Sequence, residues 1–427
     1  MVTTAGLLGT VHLGVAVAGQ CWGRNLRGRG CVQLGFRKAS SAQGLLSSDG
    51  GGKADFVWLM GCSSGSVKKG LKLEAKSVRG GVDLWEATAA ATARPEQYPE
   101  HLVVMVNGLV GSADNWKYAA EQFVQKLPDK VIVHRSQCNY LTLTFDGVDL
   151  MGERLAEEVL SVAHQRPGVQ KISFVAHSLG GLVARYAIGR LYEPGSLTES
   201  SVAWRCLTTG RNSEGRVAGL EPVNFITVAT PHLGSRGHKQ LPFLCGLPFL
   251  ERSASHTAHL VVGRTGKHLF LTDNDDGKPP LLLRMVDDCY GLKFRSALCS
   301  FRRRVAYANA NFDHMVGWRT SSIRRQHELP NSHLRVSDEK YPHIVYIDRD
   351  DTLSINKEAP SAVRVQTVDL EEEMIRGLTQ VPWERVDVSF KKSTQRYVAH
   401  STIQVKSYWI NSDGADVIYH MIDNFLI

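Results

Sequence analysis

The chain has 427 residues, of which 43% are hydrophobic and 22% charged, a balance typical of globular proteins. This composition excludes a wholly disordered chain, a collagen and a coiled coil. The formal net charge is +8, but residues 1–48 carry five basic side chains and no acidic one, so the remainder carries only 8 − 5 = +3. The basic balance therefore indicates targeting rather than a nucleic-acid partner.

The amino-terminal segment, residues 1–60, is predicted to be a transit peptide. Its first 48 residues are rich in Ser, Gly and Ala, and the basic residues follow an uncharged start. We expect it to direct the chain to plastids, with mitochondrion, secretion, cytosol and membrane association as alternatives. Residues 61–97 are predicted to be a linker. No apolar run of about twenty residues follows, so no membrane-spanning helix is expected.

Met60-Gly61-Cys62 is a second candidate targeting signal, for lipidation. If translation started at Met60, Gly61 would be a myristoylation candidate and Cys62 a palmitoylation candidate, the two lipids that stable anchoring requires. Gly65 stands where the motif prefers Ser or Thr, so linker is the simpler interpretation.

From residue 98 onwards, short apolar strands alternate with amphipathic helices. Strands are predicted at 101–107, 131–134, 171–177, 224–230 and 305–310, and helices at about 115–127, 148–164, 182–191 and 415–426. This alternation predicts a mostly parallel sheet with helices on both faces, formed by one domain over 98–427. Two stretches, about 231–300 and 320–385, break the alternation and are interpreted as insertions.

Residues 176–180, Ala-His-Ser-Leu-Gly, join a predicted strand to a predicted helix. This is the context of a nucleophile elbow, Gly-x-Ser-x-Gly, which makes Ser178 the candidate nucleophile. The sharp turn requires small residues two positions away on either side. Ala176, in place of the first Gly, and Gly180 both satisfy that requirement.

Acyl transfer at Ser178 also needs two donors to the oxyanion. One should be the backbone N–H of Leu179, the residue after the nucleophile, at the start of the helix. The other usually comes from the loop after an earlier strand. The Gly-rich residues 107–111 follow the strand 101–107, and we select the N–H of Leu109.

The nucleophile needs a histidine base and an acid that orients it, in the chain order Ser, acid, His. We expect Asp313, which follows the strand 305–310, to be the acid. The alternatives follow a second apolar run at 343–347 and are Asp348, Asp350 and Asp351.

His400 is the predicted base, because it follows these acids and precedes the last amphipathic segment. His420 lies inside the predicted terminal helix and is expected to be structural. His177 lies beside the nucleophile but points the wrong way along an elbow to act as its base. The remaining late histidines, His327, His333 and His343, are assigned to a solvated insertion.

The first insertion contains an apolar patch, LPFLCGLPFL at 241–250. It is expected to be either a lid that contacts lipid or an ordinary packed insertion. Its large side chains are Leu241, Phe243, Leu244 and Phe249. None of the eight cysteines forms a close pair of the zinc-binding kind, so no metal or cofactor is expected.

Several blocks of the chain resemble the lipase-like putative serine esterase family of plants and fungi. The resemblance covers roughly residues 98–318 and extends more loosely to AHSTIQVK around His400. Its blocks are HLVVMVNGLVGSADNW (101–116), FDGVDLMGERLAEEV (145–159), FVAHSLGGLVARYAIGRLY (174–192), FITVATPHLGSRG (225–237) and FDHMVGWRTSSIRR (312–325).

The resemblance implies an α/β-hydrolase fold and a Ser-Asp-His triad, which motif matching places on Ser178, Asp313 and His400. The chain departs from the family at Asn107, where members usually carry His, and this departure affects the oxyanion loop. The resemblance also implies lipid-ester substrates such as acylglycerols.

We therefore expect a metal-independent hydrolase of carboxylic esters, most simply lipid esters. The alternatives are an esterase or thioesterase for soluble substrates, and a catalytically weak binding or scaffold protein with the same fold. The expected partners are an acyl-ester substrate and a membrane contacted peripherally, without nucleic acid.

Overall fold

The computed structural model describes residues 99–195, 215–235, 262–274, 277–330, 338–349 and 369–427, with the backbone of a short strand at 84–85. All of them belong to one compact unit, Lys72–Ile427. The predicted leader, most of the predicted linker and the apolar patch with Leu241, Phe243, Leu244 and Phe249 lie outside the described residues.

Twelve strands occur in the described part of the chain. They are β1 (Leu84–Trp85), β2 (His101–Val106), β3 (Val131–Arg135), β4 (Lys171–His177), β5 (Tyr192–Glu193), β6 (Arg216–Val217), β7 (Glu221–Val228), β8 (Asp288–Cys289), β9 (Leu292–Lys293), β10 (Arg303–Asn309), β11 (Ile344–Arg349) and β12 (Glu384–Val388).

The labelled helices of the described residues are α1 (Lys117–Lys126), α2 (Val148–Gln165), α3 (Leu179–Leu191), α4 (Leu281–Arg284), α5 (Phe294–Ser300), α6 (Trp318–Ser322), α7 (Leu370–Leu378), α8 (Ala399–Thr402), α9 (Tyr408–Asn411) and α10 (Ala415–Asp423). Residues 262–269 are also helical. Short 3-10 turns precede α1 (Ala113–Trp116), α2 (Leu141–Phe145) and α8 (Thr394–Val398).

The main sheet has eight strands in the order β1-β3-β2-β4-β7-β10-β12-β11. The six central strands run parallel, and β1 and β11 pair antiparallel at the two edges. The predicted mostly parallel sheet of an α/β-hydrolase is therefore confirmed, and each of the five predicted strands is present. In such a sheet the loops at the carboxyl ends of the strands form the binding edge.

Alternate residues of each central strand point to opposite faces, so the sheet has a core on each side. In β2, Leu102 and Val104 belong to the core under α2, α3, α5 and α7, whereas Val103 and Met105 belong to the core under α1 and α10. Full burial of one such side chain contributes about 1.5–3 kcal/mol, so these two cores hold the helices against the sheet.

Much of the predicted insertion at 231–300 is integral to the core. Phe294 of α5 packs on Gly189 of α3, so closely that a methyl group at Gly189 would overlap its ring. Leu282 and Leu298 are also buried there. The end of the range 231–300 is therefore packed into the main core.

The predicted insertion at 320–385 also contributes to the sheet, because β11 and the first residues of β12 lie within it. Sequence reasoning missed β12 since Arg385 and Asp387 suggest a solvated segment, yet both side chains are buried. The acidic run at 369–373 begins α7, where Asp369 accepts from the N–H of Glu371 and negative charge suits the helix amino terminus.

Candidate active site

Ser178 lies at the sharp turn between β4 and α3, at the carboxyl edge of the sheet. Its backbone has φ 53° and ψ −129°, a conformation that costs a residue with a side chain about 1–3 kcal/mol. The turn needs a glycine two residues later, because a Cβ on Gly180 would lie 2.5 Å from the carbonyl oxygen of Asn107. On the other side, Ala176 is fully buried in β4 between β2 and β7. The structure thus forms the predicted elbow.

His400 is brought to Ser178 from 222 residues away in the chain. It belongs to α8, whose position follows from β12, the last parallel strand, and from the turn Thr394–Val398. The Nε2 atom of His400 lies 3.0 Å from the Oγ of Ser178. This is hydrogen-bond distance for proton transfer between the two groups.

Asp313 lies on the opposite side of the His400 ring, with 3.0 Å between its Oδ2 and the Nδ1 of His400. A carboxylate can only accept, so Nδ1–H donates to Asp313 and the unprotonated Nε2 accepts from the hydroxyl of Ser178. The structure therefore brings Ser178, His400 and Asp313 into one hydrogen-bonded series.

The side chain of Asp313 is only 2% exposed and is fixed by four donors. Besides His400, Oδ2 accepts from the amide of Asn309, and Oδ1 accepts from the N–H groups of Met315 and Val316. Burial by itself would raise the pKa of Asp313, but the charge of His400 and these hydrogen bonds outweigh burial and lower the pKa below its ordinary value. Asp313 is therefore an ionised, rigid partner of His400.

The two predicted oxyanion donors flank the nucleophile. Leu179 is the first residue of α3, and Leu109 follows Gly108, where an added Cβ would lie 2.8 Å from the Cβ of Ser178. Neither the N–H of Leu109 nor that of Leu179 has an acceptor among the described residues. Sequence reasoning did not single out Gly108, although a glycine immediately before a backbone donor is the signal for such a close approach.

Asn107, the residue that departs from the family pattern, fixes the oxyanion loop from beneath. Its Nδ2 donates to the carbonyl oxygens of Gly108, at 3.1 Å, and Asn139, at 2.9 Å. Its buried Oδ1 has no hydrogen-bond partner among the described residues. The amide thus ties the loop after β2 to the loop after β3.

His177 has a role that sequence reasoning missed. Its Nε2–H donates to the backbone oxygen of His400 at 2.7 Å, and the two rings are 4.6 Å apart. Burial, together with the neighbouring charge of His400, lowers the pKa of His177 well below its ordinary value, so the ring stays neutral. His177 therefore positions the backbone of His400 and makes no hydrogen bond to Ser178.

The other sequence candidates lie elsewhere. Asp348 accepts from Arg324 at 3.3 Å and from Arg385 at 3.4 Å, and it is not part of the series at Ser178. Asp350, Asp351 and His333 lie outside the described residues. His420 of α10 is hydrogen-bonded to Tyr307 of β10, and His343 contacts Asp416.

Exposed apolar side chains surround the series. Val110 belongs to the oxyanion loop, and the N–H of Leu141 donates to Gly111 of that loop. Met315 follows Asp313, and Tyr397 and Val398 precede His400. These five exposed side chains come from four separate loops and form an apolar rim beside Ser178.

No cluster of three or more His, Cys, Asp or Glu side chains that could hold a metal ion occurs among the described residues. Within the same residues, no helix is both long and apolar enough to cross a membrane.

Comparison with known proteins gives the family. Residues 96–323, which are more than half of the chain, match the family described as "Putative serine esterase (DUF676)". The chain belongs to this serine esterase family. Its sheet order is that of the α/β-hydrolase fold.

The chain is similar to curated fungal proteins. It is 32% identical over 247 residues to the "Putative lipase ROG1" of Saccharomyces cerevisiae. The aligned region covers 57% of this chain and 31% of that protein. It is 28% identical over 233 residues to the "Putative lipase C4A8.10" of Schizosaccharomyces pombe, with 52% and 26% covered. The chain thus spans about a third or less of the length of these relatives.

Two solved structures are among those similar to the esterase. The mature lipase BlEst2 of Bacillus licheniformis is 16% identical, with 53% of this chain and 72% of that chain covered and a TM-score of 0.28. An α/β-hydrolase superfamily protein of Enterococcus faecalis is 11% identical, with 78% and 94% covered and a TM-score of 0.35. The fold assignment rests on the sheet order and on the family match.

Proposed function

We propose that this esterase hydrolyses lipid esters, such as acylglycerols or other glycerolipids, through an acyl-enzyme on Ser178. The observation that carries the proposal is the hydrogen-bonded series of Ser178, His400 and Asp313 beside the backbone N–H groups of Leu109 and Leu179, which have no acceptor among the described residues. A serine hydroxyl becomes an effective nucleophile when a positioned imidazole takes its proton.

In the acylation step, Oγ of Ser178 attacks the acyl carbon of the ester and its proton moves to Nε2 of His400. The N–H groups of Leu109 and Leu179 donate to the oxyanion of the tetrahedral intermediate. One such donor typically contributes about 10²–10³ in rate. The intermediate collapses as the ester C–O bond breaks, and His400 returns its proton to the departing alcohol oxygen.

Deacylation repeats these steps with water as the nucleophile. His400 takes a proton from water as the water oxygen attacks the acyl carbon, then gives that proton to Oγ of Ser178 as the acid leaves. In both steps Asp313 stays ionised and stabilises the imidazolium ring of His400.

The apolar rim supports a lipid substrate over a small, soluble one. Val110, Leu141, Met315, Tyr397 and Val398 leave apolar surface in water next to the nucleophile, and such surface favours an acyl chain or a lipid aggregate as the binding partner. A dissolved, polar ester would gain little from this rim.

The function is tested with a short and a long ester. Wild-type protein should react with a fluorophosphonate and hydrolyse a short p-nitrophenyl ester, and the Ser178→Ala variant should do neither. Rates on a long-chain ester should rise above its aggregation threshold. Hydrolysis that survives Ser178→Ala would refute the acyl-enzyme, and a rate without such a rise would favour the soluble-ester alternative.

We also propose a plastid location, on the composition of residues 1–60 alone. A fluorescent protein fused after residue 60 should accumulate in plastids of a plant cell. A cytosolic fusion would refute the location and leave the chemistry at Ser178 unaffected.

A further inference from the structure

The segment that carries His400 is basic. Residues 389–411 contain four basic side chains and no Asp or Glu, a net charge of +4. Since residues 49–427 together carry +3, all the others among them sum to 3 − 4 = −1. The basic side chains are Lys391, Lys392, Arg396 and Lys406, and the three lysines are exposed.

The same segment exposes large apolar side chains. Trp409 is 95% exposed, Tyr397 66% and Ile410 65%, and Tyr408 and Val398 are also about half exposed. Three of these five residues are consecutive in α9. We call Lys391, Lys392, residues 396–398 and residues 406–410 the cationic-aromatic face.

The cationic-aromatic face is rigidly connected to the candidate base. The turn Thr394–Val398, α8 and α9 contact one another. The buried Asn411 of α9 donates to the hydroxyl of Thr402 in α8 and accepts from the N–H of Ser407. The Tyr408 ring also stacks on Tyr118 of α1 at 5.0 Å. The face is therefore a fixed surface beside His400.

We propose that the cationic-aromatic face docks the esterase on an anionic phospholipid membrane. Trp and Tyr side chains prefer the boundary between lipid headgroups and acyl chains. Lysines beside them are attracted to anionic headgroups within a Debye length of the surface. Both kinds of side chain occur here within one segment, and the rest of residues 49–427 sums to a net charge of −1.

The observations favour a membrane over a nucleic acid. Ile410 and Val398 add aliphatic surface, which acyl chains bind well and which neither bases nor phosphates need. The guanidinium of Arg396 is held against the rings of Tyr397 and Phe312, at 4.6 and 5.8 Å, instead of projecting freely.

The inference rests on the proposed lipid-ester function, since docking here would bring the apolar rim and Ser178 to the lipid. Tyr397 and Val398 belong both to the rim and to the cationic-aromatic face. A lipid would therefore need to leave the bilayer only partly to reach the nucleophile.

The test is sedimentation of the full chain with vesicles, in the Ser178→Ala background so that the lipid stays intact. Binding to vesicles of 70% phosphatidylcholine and 30% phosphatidylglycerol should exceed binding to pure phosphatidylcholine by about tenfold or more, and 0.5 M salt should weaken it. The double variants Trp409→Ala/Ile410→Ser and Lys391→Glu/Lys392→Glu should each lose about tenfold in affinity. Thermal melting identifies any variant that is unfolded.

Control variants alter an exposed aromatic residue and two exposed lysines elsewhere. Tyr290→Ala removes an exposed tyrosine from the β8–β9 hairpin. Lys130→Glu/Lys278→Glu reverses the same number of charges, and Lys130 precedes β3 at the amino edge of the sheet, opposite Ser178. Both controls should bind anionic vesicles like the unaltered Ser178→Ala protein.

Three outcomes overturn the inference. They are equal binding to neutral and anionic vesicles, variants of the face that sediment like their controls, and displacement from vesicles by an RNA oligonucleotide that binds the same face more tightly. Wild-type hydrolysis of a dissolved short ester is measured in parallel. Hydrolysis without vesicle binding refutes only membrane docking through the cationic-aromatic face. Binding without hydrolysis refutes the ester function and supports the docking.

Discussion

Asp313 and Asp348 are the residue pair on which the sequence left a choice. Asp313 orients His400 through Nδ1, whereas Asp348 is bound by two arginines away from Ser178. We expect Asp313→Asn to lower kcat by about 10³–10⁴-fold, because the amide no longer fixes the correct tautomer of His400. Asp348→Asn should change kcat less than threefold. Steady-state kinetics on one short ester decide, and a larger loss for Asp348→Asn would reverse the assignment.

Gly108 tests the close approach of the oxyanion loop. A Cβ at this position would lie 2.8 Å from the Cβ of Ser178 and 3.2 Å from the carbonyl oxygen of His177. Gly108→Ala should displace the N–H of Leu109 and lower kcat by about 10²-fold, the usual effect of losing one oxyanion donor.

The matched control is Gly168→Ala, because a Cβ at Gly168 would meet no atom within 4 Å. It should leave kcat unchanged. If Gly108→Ala is as active as this control, the loop does not supply an oxyanion donor.

At the scale of elements, a buried charge cluster joins α6 to the edge of the sheet. Asp387 of β12 has no exposed side-chain surface, and both its oxygens accept from Arg324, at 2.9 and 2.8 Å. The indole N–H of Trp318 in α6 donates to the same carboxylate at 2.6 Å. This pairing is what allows a strand with two charged residues to lie inside the sheet.

We expect Asp387→Ala to lower the free energy of unfolding by about 3–5 kcal/mol, because the buried Arg324 loses its two shorter hydrogen bonds and keeps only the contact with Asp348 at 3.3 Å. Arg190→Gln, which removes a largely exposed ion pair with Glu153, should cost less than about 1 kcal/mol. Urea unfolding measures both. Equal effects of the two substitutions would show that the buried cluster does not stabilise the edge of the sheet.

At the scale of the whole molecule, buried histidines make the fold sensitive to acid. Burial lowers the pKa of His101 to about 3 and the pKa values of His177 and His232 well below the ordinary 6.5. Below pH 6.5 the unfolded chain binds protons at these positions and the folded chain does not. Their contribution to stability is therefore complete above pH 6.5 and is lost as the pH falls.

Each of these histidines should lower the free energy of unfolding by ~1.4 kcal/mol per pH unit between its folded pKa and 6.5. Urea unfolding at pH 7.5, 6, 5 and 4.5 measures how steeply the free energy of unfolding falls with pH. His101→Gln should make this slope shallower by the contribution of one proton, ~1.4 kcal/mol per pH unit. A stability that does not change over this range would contradict the prediction.

Much of the fold follows from the sequence because its signals are local. The apolar runs of β2, β4, β7 and β10 and the helical spacing of α2 are complete within about twenty residues. The elbow at Ser178 is equally local, since its small neighbours and its place between strand and helix are read from one short stretch.

The position of β12 could not be read from the sequence, because its burial depends on Arg324, which lies 63 residues from Asp387 in the chain. The same holds for α5 and α7, whose packing partners are distant. The contact of His177 with the backbone of His400, 223 residues away, left no pattern in either segment.

The sequence by itself indicated the candidate nucleophile, the chain order of the three candidate groups and the serine esterase family, because these depend on residue types at fixed local spacings. Only the tertiary structure decided which acid meets His400, what holds Asp313 and His400 in place, and which surface of the esterase is both basic and apolar. Those properties arise where the carboxyl ends of β4, β10 and β12 meet, and distances in space, unlike spacings in the chain, are fixed only by the packed sheet.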